Sequence, residues 1–234
     1  MKYFQNIENI TCQCGGHDMC VILRNFKIMI RTSFLSLLFV FCAVAGFSQT
    51  AKDLTQRGRE LYEKHEFTES LINLNKAIEM EPTLAAAYYL RGNIKDSFDD
   101  RHGAMKDYNM AIEKNPKFAD AFFARGNVKM KLQDYYGAID DYSSAININE
   151  NYVEAYYNRG KAKQFLQAYQ DAINDCSKII QINPKSVDAY YMRGILRIDF
   201  GDTKNGCLDL SKAGELGDLK AYEVIKERCN QKTQ

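Results

Sequence analysis

The stretch "AYYNRGK", residues 155–161, decides the fold because near-copies of it run through the chain: "AYYLRGN" at 87–93, "AFFARGN" at 121–127 and "AYYMRGI" at 189–195. Together with Gly58, its glycines stand at Gly92, Gly126, Gly160 and Gly194, each 34 residues after the last. A fixed period of this kind marks a tandem array in which every unit stacks on its neighbours. The three prolines keep the same time, since Pro82, Pro116 and Pro184 each follow a repeat glycine by 24 residues, and Glu150 holds the remaining slot. Proline cannot continue a helix, so these positions separate one unit from the next.

Inside each unit the apolar residues follow helical spacing twice, with a short polar break such as "DDR" (99–101) or "QDY" (133–135) between the two runs. The pattern predicts two antiparallel helices per unit. Twelve residues after each repeat glycine comes a small residue, Ser70, Ala104, Ala138, Ala172 or Gly206, which lets the two backbones approach closely. Seven further on, Ala77, Ala111, Ala145, Ile179 and Ala213 are placed to face the next unit. Tyr88, Phe122, Tyr156 and Tyr190 on the first helices, and Leu74, Tyr108, Tyr142, Cys176 and Leu210 on the second, fill the space between.

Period, glycine, alanines, aromatics and proline together make residues 51–217 resemble the tetratricopeptide repeat (TPR) family, in five units spanning 51–84, 85–118, 119–152, 153–186 and 187–217. The resemblance implies an all-α, right-handed superhelical solenoid of five helix pairs, with a concave groove that binds peptides or protein segments. "DLKAYEVIKERCN" (218–230) looks like the solitary capping helix of such arrays, making 218–234 cap and tail.

Two departures from the family pattern stand out. Arginine replaces the usual leucine before the glycine five times, at Arg57, Arg91, Arg125, Arg159 and Arg193, and Asn73, Asp107, Asp141, Asp175 and Asp209 follow the glycine by 15 residues. With a turn halfway between, arginine and aspartate lie at equal height on paired helices, which predicts an internal ion-pair ladder. A second basic row, Lys95, Lys129, Lys163 and Arg197, has no evident acidic partner and is expected on a solvated face, or as a grip for an anionic polymer.

Of the paired aromatics, Tyr88, Phe122, Tyr156 and Tyr190 share a face with the glycine and belong to the core. Tyr89, Phe123, Tyr157 and Tyr191 lie about 100° further around the helix, on the stripe that the family turns toward its groove. One turn along come Asn93, Asn127, Lys161 and Ile195. The candidate groove is therefore Tyr89, Asn93, Phe123, Asn127, Tyr157, Lys161 and Tyr191, with packing of these rings between neighbouring first helices as the alternative. The chaperone-binding branch of the family grips a terminal carboxylate with lysines at the aromatic position, so that ligand is disfavoured here.

The N-terminus has a different character. "MIRTSFLSLLFVFCAVAGFSQ" from Met29 has a basic start, an apolar stretch from Phe34 to Ala45 and small residues beyond, the three-part pattern of a secretory signal peptide over 29–48. Cleavage after Ser48 or Ala45 is expected. Residues 1–28 precede that signal and read as a misplaced start. Within them Cys12, Cys14 and Cys20 beside His17 have the spacing of a soft-metal cluster, but the segment is expected to be absent from the mature protein. Export allows a disulfide between Cys207 and Cys229, which lie ten residues before and twelve after a turn at Gly217, with two small buried hydrophobic side chains as the alternative; Cys176, at a core position, should stay reduced.

The formal net charge of +1 carries no footprint of nucleic-acid binding. Catalysis needs groups converging in a pocket, and the repeats offer only His65 and His102, in different units near turns, with Asp99–Asp100 and Asp140–Asp141 as divergent neighbours. The expectation is a non-enzymatic scaffold in the periplasm or cell envelope, without metal or cofactor, binding a protein or peptide partner and meeting membrane only during export or if the signal stays uncleaved. A structural component of the envelope is the alternative.

Overall fold

In the computed structural model, residues 49–229 are described, and the signal and extension expected over 1–48 lie outside them. Eleven α-helices follow in order among the described residues: α1 (Ala51–Glu63), α2 (Phe67–Met80), α3 (Ala85–Ser97), α4 (Arg101–Lys114), α5 (Ala119–Lys131), α6 (Tyr135–Ile148), α7 (Val153–Phe165), α8 (Tyr169–Ile182), α9 (Val187–Phe200), α10 (Thr203–Glu215) and α11 (Leu219–Val224). A π-helical turn, Ile225–Cys229, extends the last one. They pack as successive hairpins, α1 on α2 through α9 on α10, with each second helix lying against the first helix of the next pair.

Two kinds of turn alternate, each built by local chemistry. Within a hairpin the chain leaves the first helix through a left-handed residue, with φ between 58° and 63° at His65, Asp99, Gln133 and Gln167 and glycine, Gly201, only in the last pair. The residue after it donates back to the carbonyl five earlier, as Asp134 N does to Lys129 O at 2.9 Å and Asp202 N to Arg197 O at 2.8 Å, which satisfies an otherwise orphaned helix-end carbonyl. Asp100, Asp134 and Asp202 then cap the second helices by accepting from Gly103 N, Gly137 N and Asn205 N, whereas Ala168 leaves α8 without a side-chain cap.

Between hairpins, the side chains of Asn115, Asn149 and Asn183 each accept the backbone N–H two residues on, at 3.1 Å. This Asx turn explains how Glu150 can occupy the proline slot, because Asn149 directs the chain through the side chain instead.

The core is a line of small apolar clusters that run through the hairpins and across their junctions. Ala104, Ala138 and Ala172 are fully buried at the helix crossings, and Ala77, Ala111, Ala145 and Ala213 are fully buried toward the next pair. The repeat glycines make room for one side chain each: a Cβ on Gly92 would stand 2.7 Å from the Tyr108 ring, and one on Gly126 2.8 Å from that of Tyr142. In the fourth pair Cys176 replaces the large residue, and Met192 of the next pair reaches in toward Gly160.

Candidate functional site

The opening motif sorts its side chains onto different faces of one helix. Aromatic and arginine recur together because they stack: the guanidinium of Arg91 lies over the Tyr88 ring, Arg125 over Phe122, Arg159 over Tyr156 and Arg193 over Tyr190, all at 5.3–5.5 Å. Each arginine also grips the aspartate of its own pair through two nitrogens, as Arg125 Nε and Nη2 do at 2.9 and 2.6 Å from Asp141. Its remaining nitrogen reaches back to the preceding hairpin, where Asn75, Asn109, Ser143 and Ser177 accept in turn. The ladder thus ties neighbouring units together as well as the helices within each.

Two expectations about the ladder need correction. It has four rungs rather than five, since Arg57 is exposed and Asn73 donates to Glu69 O instead. The second basic row is not a solvated face: Lys95, Lys129, Lys163 and Arg197 sit 2.6–2.8 Å from the same four aspartates. A carboxylate offers about four lone-pair sites, so one buried aspartate serves both cations, and Asp107, Asp141, Asp175 and Asp209 are 1–5% exposed. The signal was present in the spacing, because the height arithmetic that pairs Arg91 with Asp107 places Lys95 one turn along on the same face. The cations that suggested an anionic polymer are therefore already paired.

The second aromatic row lines the exposed face of the first helices, and it also packs. Tyr89 lies 4.9 Å from the Phe118 ring and Phe123 5.0 Å from Tyr152, each partner standing at the start of the next hairpin. These half-buried rings therefore pack at the junctions between hairpins, and they cannot be removed without loosening the stack. Tyr191 and Ile195 pack on the Leu210–Ala213–Ala221 cluster beside Val224, Ile225 and Cys229, so the last member of the row belongs largely to the junction with the cap.

Between the rings run two adjoining cavities that share Phe123. The first, about 290 Å³, is lined by Tyr62, Tyr89, Asn93, Asp96, Asn127 and Lys131 among others. Here Asn93 and Asn127 use their carbonyls to accept from Tyr108 Oη and Tyr142 Oη, both at 2.8 Å, Asn127 also accepts from Asn158 Nδ2 at 2.9 Å, and the Asn93 amide faces the Tyr89 hydroxyl. Lys131 neutralises Asp96 at 2.7 Å. The second cavity, about 410 Å³, is lined by Phe123, Val153, Glu154, Tyr157, Asn158, Ile179, Ser186 and Asp188. Lys161 is exposed beside it, its Nζ 5.9 Å from the Tyr157 ring centre.

Burial raises the tyrosine hydroxyls along this face, and nearby carboxylates add to the effect: Asp120 at Tyr89, Asp96 at Tyr108, Asp120 and Glu154 at Tyr152, Asp188 at Tyr157. Sequence reading missed Asp120, Glu154 and Asp188, although they too keep the 34-residue period. At the far end a disulfide joins Cys207 of α10 to Cys229 of the terminal turn, with Cα atoms 6.0 Å apart. Cys176 is free and buried, and burial pushes its thiol up to about 12. His65 and His102 are exposed in separate hairpins.

Comparison with known proteins agrees with this architecture. Residues 126–164 match the family model described as TPR repeat, and residues 153–186 match the one described as tetratricopeptide repeat. No curated protein matches the chain. Among solved structures, YrrB, described as a TPR protein with an unusual peptide-binding site, superposes with a TM-score of 0.68 at 22% identity, covering 80% of this chain and 97% of its own. MamA superposes at 0.65 and 20% identity, covering 77% and 96%. A thermophilic TPR protein of Thermus thermophilus, TTC0263, does so at 0.54 and 13%, covering 77% and 99%. The family matches, the 34-residue period and the stacked hairpins lead to one conclusion: this chain carries tetratricopeptide repeats and folds as a TPR solenoid.

Proposed function

We propose that the protein is a non-enzymatic scaffold that holds an extended segment of a protein partner along the face formed by its first helices. The observation that carries this reading is the pair of adjoining cavities, where aromatic walls alternate with the side-chain amides of Asn93, Asn127 and Asn158. Aromatic rings supply contact area at small entropic cost, and side-chain amides pair with backbone whatever its sequence. YrrB is described as having a peptide-binding site, which supports a ligand of this class on the same fold.

Site-specific crosslinking tests the reading. A photoreactive residue in place of exposed Lys161 should trap a protein partner in the native host, whereas the same residue in place of exposed Lys106 on α4 should not. Equal trapping at both positions would move the binding surface off the groove.

We further propose that the protein works outside the cytoplasm, on the evidence of the tripartite segment from Met29 to Gln49. N-terminal sequencing of protein from the native host should begin at Gln49 or Gly46. A chain still carrying residues 1–28 would overturn both the start-site and the cleavage readings.

A further inference from the structure

The two cavities differ in charge balance. In the first, the one lining carboxylate, Asp96, already has its cation in Lys131. In the second, Glu154 and Asp188 stand at the rim, neither has an ion-pair partner among the described residues, and no basic side chain lines the wall. They occupy equivalent places in the first turns of α7 and α9, with Asp120 in the same place on α5. Asp120 is occupied by the hydroxyl of Tyr152, which donates to it at 3.0 Å. Below the two free carboxylates the cavity is walled by the rings of Phe123 and Tyr157 and by Val153 and Ile179. The Tyr157 ring already carries one cation on its face, that of Lys161.

A cavity that sets two carboxylates beside Phe123, Tyr157, Val153 and Ile179, with Asn158 and Ser186 completing the wall, matches a long aliphatic side chain ending in a cation. We propose that the cavity between α5, α7 and α9 receives a lysine or arginine side chain of the bound segment, with Glu154 and Asp188 pairing its charge. The proposal rests on the groove reading above and adds the chemistry of the partner. The segment lays its backbone across Asn93 and Asn127 in the neutral cavity and turns one basic side chain down beyond Phe123. A neighbouring acidic residue would be repelled, because no cation in the cavity wall offsets either carboxylate. The negative potential that helps hold the groove tyrosines protonated acts in the same sense.

A displayed library of random twelve-residue peptides, selected on the full chain, tests this. Peptides retained by the wild type should be enriched in lysine or arginine at one position, and replacing that residue by glutamine in a synthetic peptide should weaken binding on the order of tenfold. The double variant Glu154→Gln/Asp188→Asn should lose both the enrichment and the tenfold difference. Both positions are exposed, so the fold is not at stake. A control with the same charge change elsewhere, Glu79→Gln/Asp140→Asn, should behave as wild type; behaviour like the first double variant would show that net charge alone is responsible. Enrichment of peptides without basic residues, or basic enrichment unchanged by Glu154→Gln/Asp188→Asn, would overturn the proposal while leaving the groove reading in place. Selection of no peptide by the wild type would overturn both.

Discussion

Gly126 and Gly160 occupy equivalent positions and yet face different neighbours, which makes them a sharp test of packing. A Cβ on Gly126 would meet the Tyr142 ring at 2.8 Å, and that ring is fully buried with its hydroxyl bonded to Asn127. Gly126→Ala should cost about 1–3 kcal/mol by overpacking. On Gly160 the nearest atom is the mobile end of Met192 at 3.2 Å, so Gly160→Ala should be neutral or stabilising, helped by up to about 1 kcal/mol of helix propensity. Chemical denaturation of both variants checks the contrast. The ladder gives a second residue-scale test. Asp141→Ala strands two cations that now share one buried carboxylate and should cost about 3 kcal/mol, whereas Arg125→Leu leaves Asp141 with Lys129 and should cost less. Cys176 gives a third: a thiol pushed up to about 12 is almost wholly protonated at pH 8, so it should resist alkylation until the chain unfolds.

At the scale of the element, α2 and α8 are the second helices without a side-chain cap. The N-cap of α8, Ala168, offers no acceptor where Asp100, Asp134 and Asp202 cap their helices. Ala168→Asp should therefore raise stability by about 1 kcal/mol, read as a higher melting temperature. The turns before α2, α4, α6 and α8 each hold a non-glycine residue at positive φ. The place of the turn was legible in the polar break, but its left-handed residue was not, because His65, Asp99, Gln133 and Gln167 share no side-chain chemistry. Backbone closure between two packed helices imposes the conformation on whatever residue stands there.

For the whole molecule, stability is a sum of units and junctions, so a lesion at one end should stay there. The Cys207–Cys229 bridge spans 22 residues and holds the terminal turn on α10. Reducing it should destabilise that end by roughly 2–4 kcal/mol. Hydrogen exchange with and without reductant should then quicken in α10 and α11 and stay unchanged in α3 to α6. Uniform quickening would mean that the array unfolds as one block.

The sequence by itself determined the period, the helix pairs, the small residues at the crossings and the arginine–aspartate partnership. Apart from the 34-residue period itself these are local: they follow from offsets of 12 to 16 residues within one hairpin, where a count along two antiparallel helices fixes who stands beside whom. Only the tertiary structure decided that Tyr89 and Phe123 both line cavities and hold the stack. The same is true of the unpaired carboxylates of Glu154 and Asp188, which acquire their meaning from a cavity whose walls come from three successive hairpins. Such features depend on how one unit is rotated on the next, and that rotation is set by the shapes of buried side chains at each junction rather than by any period in the chain.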